Sequence, residues 1–177
     1  TLAFVFSATT LGASCGGNFG QFLSTLRQEA HDLGYRSILV NEFFDAAQQD
    51  PKVLKADRSQ GIFQKDFITF SQILISEHRL KDAKKNAAKY ASIFKRINDK
   101  FGVPPGVLLA FWGFETDFGA NQGNFNTLNS LITLAHDCRR PDLFRPQIFA
   151  ALELFKRGEF DPVLTTGAWA GEIGMIQ

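Results

Sequence analysis

Residues 79–101 read RLKDAKKNAAKYASIFKRINDKF, and this stretch decides the fold class. Leu80, Ala83, Ala87, Ala91, Phe94, Ile97 and Phe101 recur at helical spacing along one stripe, with Lys81, Lys84, Lys85, Lys89, Lys95 and Lys100 largely off it. Gly102 follows as a stop. We read one helix from Arg79 to Phe101 whose lysines face water, with attraction to an anionic polymer as the other reading of that face. Working outward, Phe22, Leu23, Leu26, Ala30 and Leu33 mark a helix within 19–33 that ends at Gly34, and further helices fit 38–47, 127–137 and 143–156, the last stopping at Gly158. The stretch from Asp50-Pro51 to Gly61 holds turn formers and charges and reads as an irregular connection. Phe63, Phe67 and Phe70 follow at intervals of three to four and pack inward or line a groove. No alternating strand pattern, internal repeat or low-complexity linker is visible, so the fold class is mainly α.

The chain has 177 residues, 45% of them hydrophobic, which suits one domain with a real core. Its 19 Phe against two Trp and two Tyr give a phenylalanine-rich interior, and a formal net charge of +1 argues against nucleic acid as a partner. There is no glycine-rich phosphate loop, His31, His78 and His136 are far apart in sequence, and two cysteines cannot make a structural zinc site unaided. Asp45, Asp50 and Asp57 lack the spacing and glycine of a calcium loop. We therefore expect no cofactor and no metal within these residues.

Residues 1–14 are apolar and small, too few to span a bilayer, and resemble the apolar part of a secretion signal whose basic leading region is missing. An ordinary N-terminal helix or strand is the alternative. Cys15 follows directly. A lipid-anchored cysteine fits badly with Gly12 three positions earlier, so we read Cys15 as disulfide-bonded to Cys138, with two free thiols as the alternative. Residues 15–177 form the domain. It ends at Gly171-Glu172-Ile173-Gly174-Met175-Ile176-Gln177 with no stop signal or polar tail, and we expect a domain cut short at its C-terminal side.

Gly113-Phe114-Glu115-Thr116-Asp117-Phe118 is the stretch most like chemistry, because it sets an acid into an aromatic and apolar helical segment. That segment starts after Gly102-Val103-Pro104-Pro105, where proline suits a first helical turn. Helical spacing puts Phe111 and Trp112 one turn before Glu115 and Phe118 one turn after it, on roughly one face. A carboxyl against aromatic carbon is poorly solvated, which favours its neutral, proton-donating form. The bland alternative is a glutamate paired with a buried arginine. Asp117 projects from another face and reads as structural.

With these blocks, the chain over roughly 19–177 resembles the lytic murein transglycosylase B family, periplasmic enzymes of bacterial cell-wall turnover with a lysozyme-like core. The residues that carry the resemblance are Gly102-Val103-Pro104-Pro105, Gly113-Phe114-Glu115-Thr116 ending at Gly119, Cys138-Arg139-Arg140, and Gly167-Ala168-Trp169-Ala170-Gly171 leading to Gly174 and Gln177. Asp57-Arg58-Ser59-Gln60 with Phe63 is a weaker match. The resemblance implies that Glu115 is a single catalytic acid and base, that Arg139 and Arg140 lie at the glycan cleft and bond muropeptide carboxylates, and that Gln177 contacts the sugar. It implies cleavage between N-acetylmuramic acid and N-acetylglucosamine with a 1,6-anhydromuramic end. It further implies an exported protein of the periplasm with or without membrane association, with glycan strands as partner and association with cell-wall machinery as a further expectation, and we expect a monomer. Ala168 replaces a serine found in some relatives, and Glu172 stands where many have a small residue. If Glu172 faces the cleft, hydrolysis by a muramidase becomes the rival, and a non-catalytic glycan-binding protein is a second one.

Overall fold

The computed structural model describes residues 15–59 and 65–175. The signal-like residues 1–14, Gln60, Phe63 and Gln177 lie outside them. The chain is mainly helical and divides into two units, one of residues up to Leu54 with Leu128–Thr165, the other of Lys55–Thr127 with Thr166 onward.

In the first unit, α1 (Phe19–Asp32) starts where the Asn18 side chain accepts a hydrogen bond from the Gln21 amide at 3.1 Å. It buries Phe22, Leu26 and Ala30, the expected stripe, while Leu33 falls past the helix end and is exposed. The next helix, α2 (Ser37–Asp45), buries Val40, Phe43 and Phe44. The stretch expected to be irregular instead begins a helix, α3 (Pro51–Arg58). Proline has an ideal φ for a first turn, and the Asp50 carboxylate accepts from the Lys52 amide at 2.8 Å, so the turn formers here are helix-start signals. This unit is completed by two further helices that match the expected spans within two residues, and the one starting at Thr127 is buried on nearly every side from Leu128 to Ala135. Two of its polar side chains hold the loop before α3, with Asn129 accepting from the Gln48 amide at 2.7 Å and Thr133 from the Asp50 amide at 2.9 Å.

Cys15 and Cys138 form a disulfide, with Cα atoms 5.2 Å apart. Beside it the Gly16 amide donates to the His136 carbonyl at 2.8 Å. The His136 ring is taken up by Gln49 and the Gly17 carbonyl on its two nitrogens and by the Phe19 and Phe22 rings, a structural role.

Glu153 in the last helix of this unit accepts from Tyr35 Oη at 3.1 Å and Lys156 Nζ at 3.2 Å. Hydrogen bonds from Lys156 and then Tyr35 hold its carboxyl below the ordinary value of 4.5. A depressed folded-state value contributes stability that is present above 4.5 and lost as pH falls through the folded value. The thermal midpoint should therefore drop on acidification below that point, and Glu153→Gln should flatten the drop. Equal acid slopes in the two proteins would rule out this contribution.

In the second unit, α4 (Phe67–Leu74) is capped by Asp66, which accepts from the Thr69 amide at 3.0 Å. The single helix expected over 79–101 is two, α5 (Glu77–Lys89) and α6 (Ala91–Phe101), broken at Tyr90 with φ −110° and ψ 21°. No proline or glycine causes the break. The Tyr90 ring instead meets Trp112 at 5.7 Å between centroids, a contact no local pattern announces. On the expected stripe Phe94 is buried, but Leu80 and Phe101 are exposed. Gly102, at φ +70°, ends α6 in the left-handed conformation, and α7 (Pro105–Thr116) follows with proline in its first turn. Helix α5 packs against both α6 and α7. Two antiparallel strands of two residues each, β1 (Phe125–Asn126) and β2 (Thr166–Gly167), pair Phe125 with Gly167 and Asn126 with Thr166. Strands this short leave no alternation to read.

Candidate active site

Glu115 occupies the last turn of α7. The helix buries Leu109, Gly113 and Thr116, and at helical spacing Glu115 lies across the helix from Gly106, Leu109 and Gly113. Its side chain is exposed, and among the described residues it has no hydrogen-bond or ion-pair partner. The alternative reading of this acid, as one paired with a buried arginine, finds no such arginine among the described residues.

The aromatic setting differs from the expectation. The helix stops at Thr116, because Asp117 (φ 52°) and Phe118 (φ 59°) both turn left-handed. Phe118 thus does not continue Glu115's face. Its ring folds back under Gly113, where an added Cβ would lie 2.9 Å from Phe118 Cζ, and stands edge-on to Trp112 at 5.5 Å. Phe111 and Phe114 are exposed. Together Leu74, Leu80, Leu109, Gly113, Phe114 and Phe118 line much of an apolar groove of about 230 Å³.

Thr116 ties this turn to the C-terminal segment. It is fully buried, donates to the Met175 carbonyl at 2.6 Å and accepts from the Gly119 amide at 3.0 Å. Thr116→Val keeps the shape and removes both bonds, and should cost about 2 kcal/mol, since two part-buried hydrogen bonds to backbone are lost. Urea unfolding tests this, with Thr116→Ser expected to recover most of the loss. A valine variant as stable as wild type would show that the bonds contribute nothing.

Asp117 is occupied: Arg79 Nε donates to its Oδ1 at 3.0 Å, with both side chains about three-quarters covered (23% and 26% exposed). It is therefore an ion-pair residue, in line with its reading as structural. Glu172 is exposed, and its backbone carbonyl accepts from the Ala168 amide at 2.9 Å. Arg139 and Arg140 belong to the first unit, in the exposed turn after His136, and the Arg140 guanidinium lies 5.1 Å from the Phe144 ring centroid. Gln177 lies outside the described residues. Among the described residues no group of three or more His, Cys, Asp or Glu is arranged to hold a metal. Sequence reasoning missed Arg79 and Thr116: Thr116 stood beside the acid and only its burial reveals its bonds, whereas nothing in the sequence links Arg79 to Asp117.

Residues 18–177 match the family described as the transglycosylase SLT domain. The chain is 29% identical over 90 residues to the membrane-bound lytic murein transglycosylase B of Escherichia coli (strain K12), a match covering 50% of this chain and 25% of that protein. Among solved structures it is similar to SltB3 from Pseudomonas aeruginosa in complex with NAG-anhNAM-pentapeptide, at 31% identity and a TM-score of 0.82, over 92% of this chain and 43% of that one. The lytic transglycosylase Slt35 of Escherichia coli in complex with bulgecin A shares the fold at 21% identity and a TM-score of 0.79, over 93% of this chain and 54% of that one. The chain thus spans between a quarter and about half the length of these relatives.

Proposed function

Because the chain belongs to the transglycosylase SLT domain family, we propose that residues 15–177 are part of the catalytic domain of a peptidoglycan lytic transglycosylase with Glu115 as its one acid and base. The observation that carries the reading is the contrast between two neighbouring carboxylates: Glu115 is exposed and unpaired among the described residues, while Asp117 is held by Arg79. Hydrolysis of a glycosidic bond generally needs a second carboxylate, as nucleophile or to activate water. Asp117 does not fill that part.

Glu115 donates its proton to the oxygen between N-acetylmuramic acid and N-acetylglucosamine, and that C–O bond breaks as the N-acetylglucosamine end leaves as an alcohol. The resulting carboxylate takes the proton of the muramic C6 hydroxyl as O6 closes onto C1. The acid is thereby restored, water is not consumed, and the product ends in 1,6-anhydromuramic acid. Arg139 and Arg140 bond lactyl or peptide carboxylates through their planar guanidinium forks, and Gln177 offers its amide to an N-acetyl group. Glycan strands are the partner, which requires export to the periplasm. The E. coli relative is membrane-bound by name, whereas among the described residues no helix is long and apolar enough to cross a membrane.

Purified peptidoglycan digested by the full-length protein in H₂¹⁸O tests the reaction class. Anhydro-ended muropeptides without ¹⁸O are expected. Reducing ends carrying ¹⁸O would overturn the reading in favour of a muramidase, with Glu172 the first acid to examine, and binding without any product would favour a glycan-binding module.

A further inference from the structure

We propose that Arg79 is a positioning residue for Glu115, acting through Asp117, an inference that rests on the reading of Glu115 as the catalytic acid and base. Helix α7 ends within two residues of Glu115, and it ends there because two consecutive residues other than glycine adopt positive φ, at 52° and 59°. Side chains with a Cβ resist that conformation, and a pair in succession needs contacts from outside the turn to hold it. Phe118 is held by Gly113 and Trp112. Asp117 is held by Arg79, which comes from α5 and is itself fixed at a second point: its Nη1 donates to the Leu74 carbonyl at the end of α4, at 2.6 Å. The guanidinium also lies 6.0 Å from the Phe114 ring centroid, one residue before Glu115. One arginine therefore ties the end of α4 and the start of α5 to the turn that closes the catalytic helix.

The consequence falls on Glu115 because, among the described residues, its own side chain makes no bond that would orient it. Its direction follows from the backbone of the last helical turn, and the left-handed turn at Asp117 fixes where that backbone stops. Were Asp117 to relax to right-handed φ, α7 would run on. The Thr116 bonds to Met175 and Gly119 would then be drawn out of line, with the carboxyl turned away from the bond it protonates. Arginine suits the task because its fork reaches two acceptors at once, which a lysine cannot do with the same geometry.

The test uses the full-length protein as Arg79→Ala, Arg79→Lys, Asp117→Gly and the double variant Arg79→Ala/Asp117→Gly. Glycine takes positive φ unaided, so it should make Arg79 dispensable. On soluble uncross-linked peptidoglycan strands, Arg79→Ala should lower kcat about 30-fold with KM within about twofold, the size expected of a misplaced catalytic group. Arg79→Lys should lower kcat about fivefold, Asp117→Gly less than about threefold, and the double variant should return to within about threefold of wild type. The ¹³C resonance of the Glu115 carboxyl, assigned with Glu115→Gln, should shift in Arg79→Ala and return in the double variant. An unchanged kcat and resonance in a folded Arg79→Ala would overturn the proposal, as would a double variant as slow as Arg79→Ala. Should Arg79→Ala not fold, Arg79→Lys with and without Asp117→Gly decides by the same criterion. Should wild type release no anhydro product, the functional reading fails separately, and the carboxyl resonance alone still decides whether Arg79 positions Glu115.

Discussion

Glu115→Gln is expected to lower the turnover of peptidoglycan about a thousandfold, the scale of a lost general acid and base. Glutamine keeps the size of the side chain and can accept a hydrogen bond, but it cannot donate a proton to a leaving oxygen or recover one from the muramic C6 hydroxyl. The two half-roles are lost together, so the loss is that of one group acting twice and is not a product of two separate factors. Folding should be unaffected, because Glu115 is exposed and unpaired among the described residues and no ion pair is broken. Glycan affinity should also stay within a few-fold of wild type. Single-turnover release of anhydro-ended muropeptides, beside a binding isotherm for the same strands, separates these terms. A variant that retains more than about a tenth of wild-type turnover would remove Glu115 from the chemistry.

The second large effect is on stability. Gly123 sits at φ +86°, where a Cβ would lie 2.0 Å from the Gly167 carbonyl oxygen, and a Cβ on Gly167 would lie 2.0 Å from the Glu172 carbonyl oxygen. Three lengths of backbone are stacked here with no room for a side chain, and both atoms struck belong to main chain, which cannot rotate away. Gly123→Ala should therefore cost about 4 kcal/mol, combining left-handed strain with a forced separation of β1 from β2. That is a large fraction of the roughly 5–15 kcal/mol that holds a domain together. Loss of the strand pair would also release the segment whose Met175 carbonyl meets Thr116, so activity should fall at temperatures where the fold survives. Gly106→Ala is the matched control, since a Cβ there meets nothing within 4 Å and the residue lies in the first turn of α7. It should raise stability by about 0.5 kcal/mol. Equal midpoints for the two alanine variants in urea would refute the packing argument at Gly123.

The site was legible in part. Glu115 stood out as an acid in an apolar helix, and the structure places it in that helix. Its surroundings were not legible: helical spacing alone puts Phe118 on Glu115's face, and two left-handed residues carry the ring under Gly113 instead. The disulfide partners could be named because only two cysteines exist, and the structure joins them. Asp50-Pro51 is ambiguous in sequence because the same residue types serve a loop and a helix start, and the burial of Val53 within the first turn tells them apart.

What the sequence by itself determined was the set of local helices: where α1 begins and buries its stripe, where Gly102 stops α6, and where Pro105 opens α7. Those signals act within a turn or two of chain, since helical hydrogen bonds and same-face neighbours are three or four residues apart. Only the tertiary structure decided the break at Tyr90, the left-handed stop at Asp117 and the pairing of two-residue strands. Each of these is an unfavourable or indifferent local choice stabilised by a group distant in sequence: Trp112 against Tyr90, Arg79 against Asp117, and Gly167 against Phe125. Packing between elements, which no window of neighbouring residues contains, therefore sets the turn that follows Glu115.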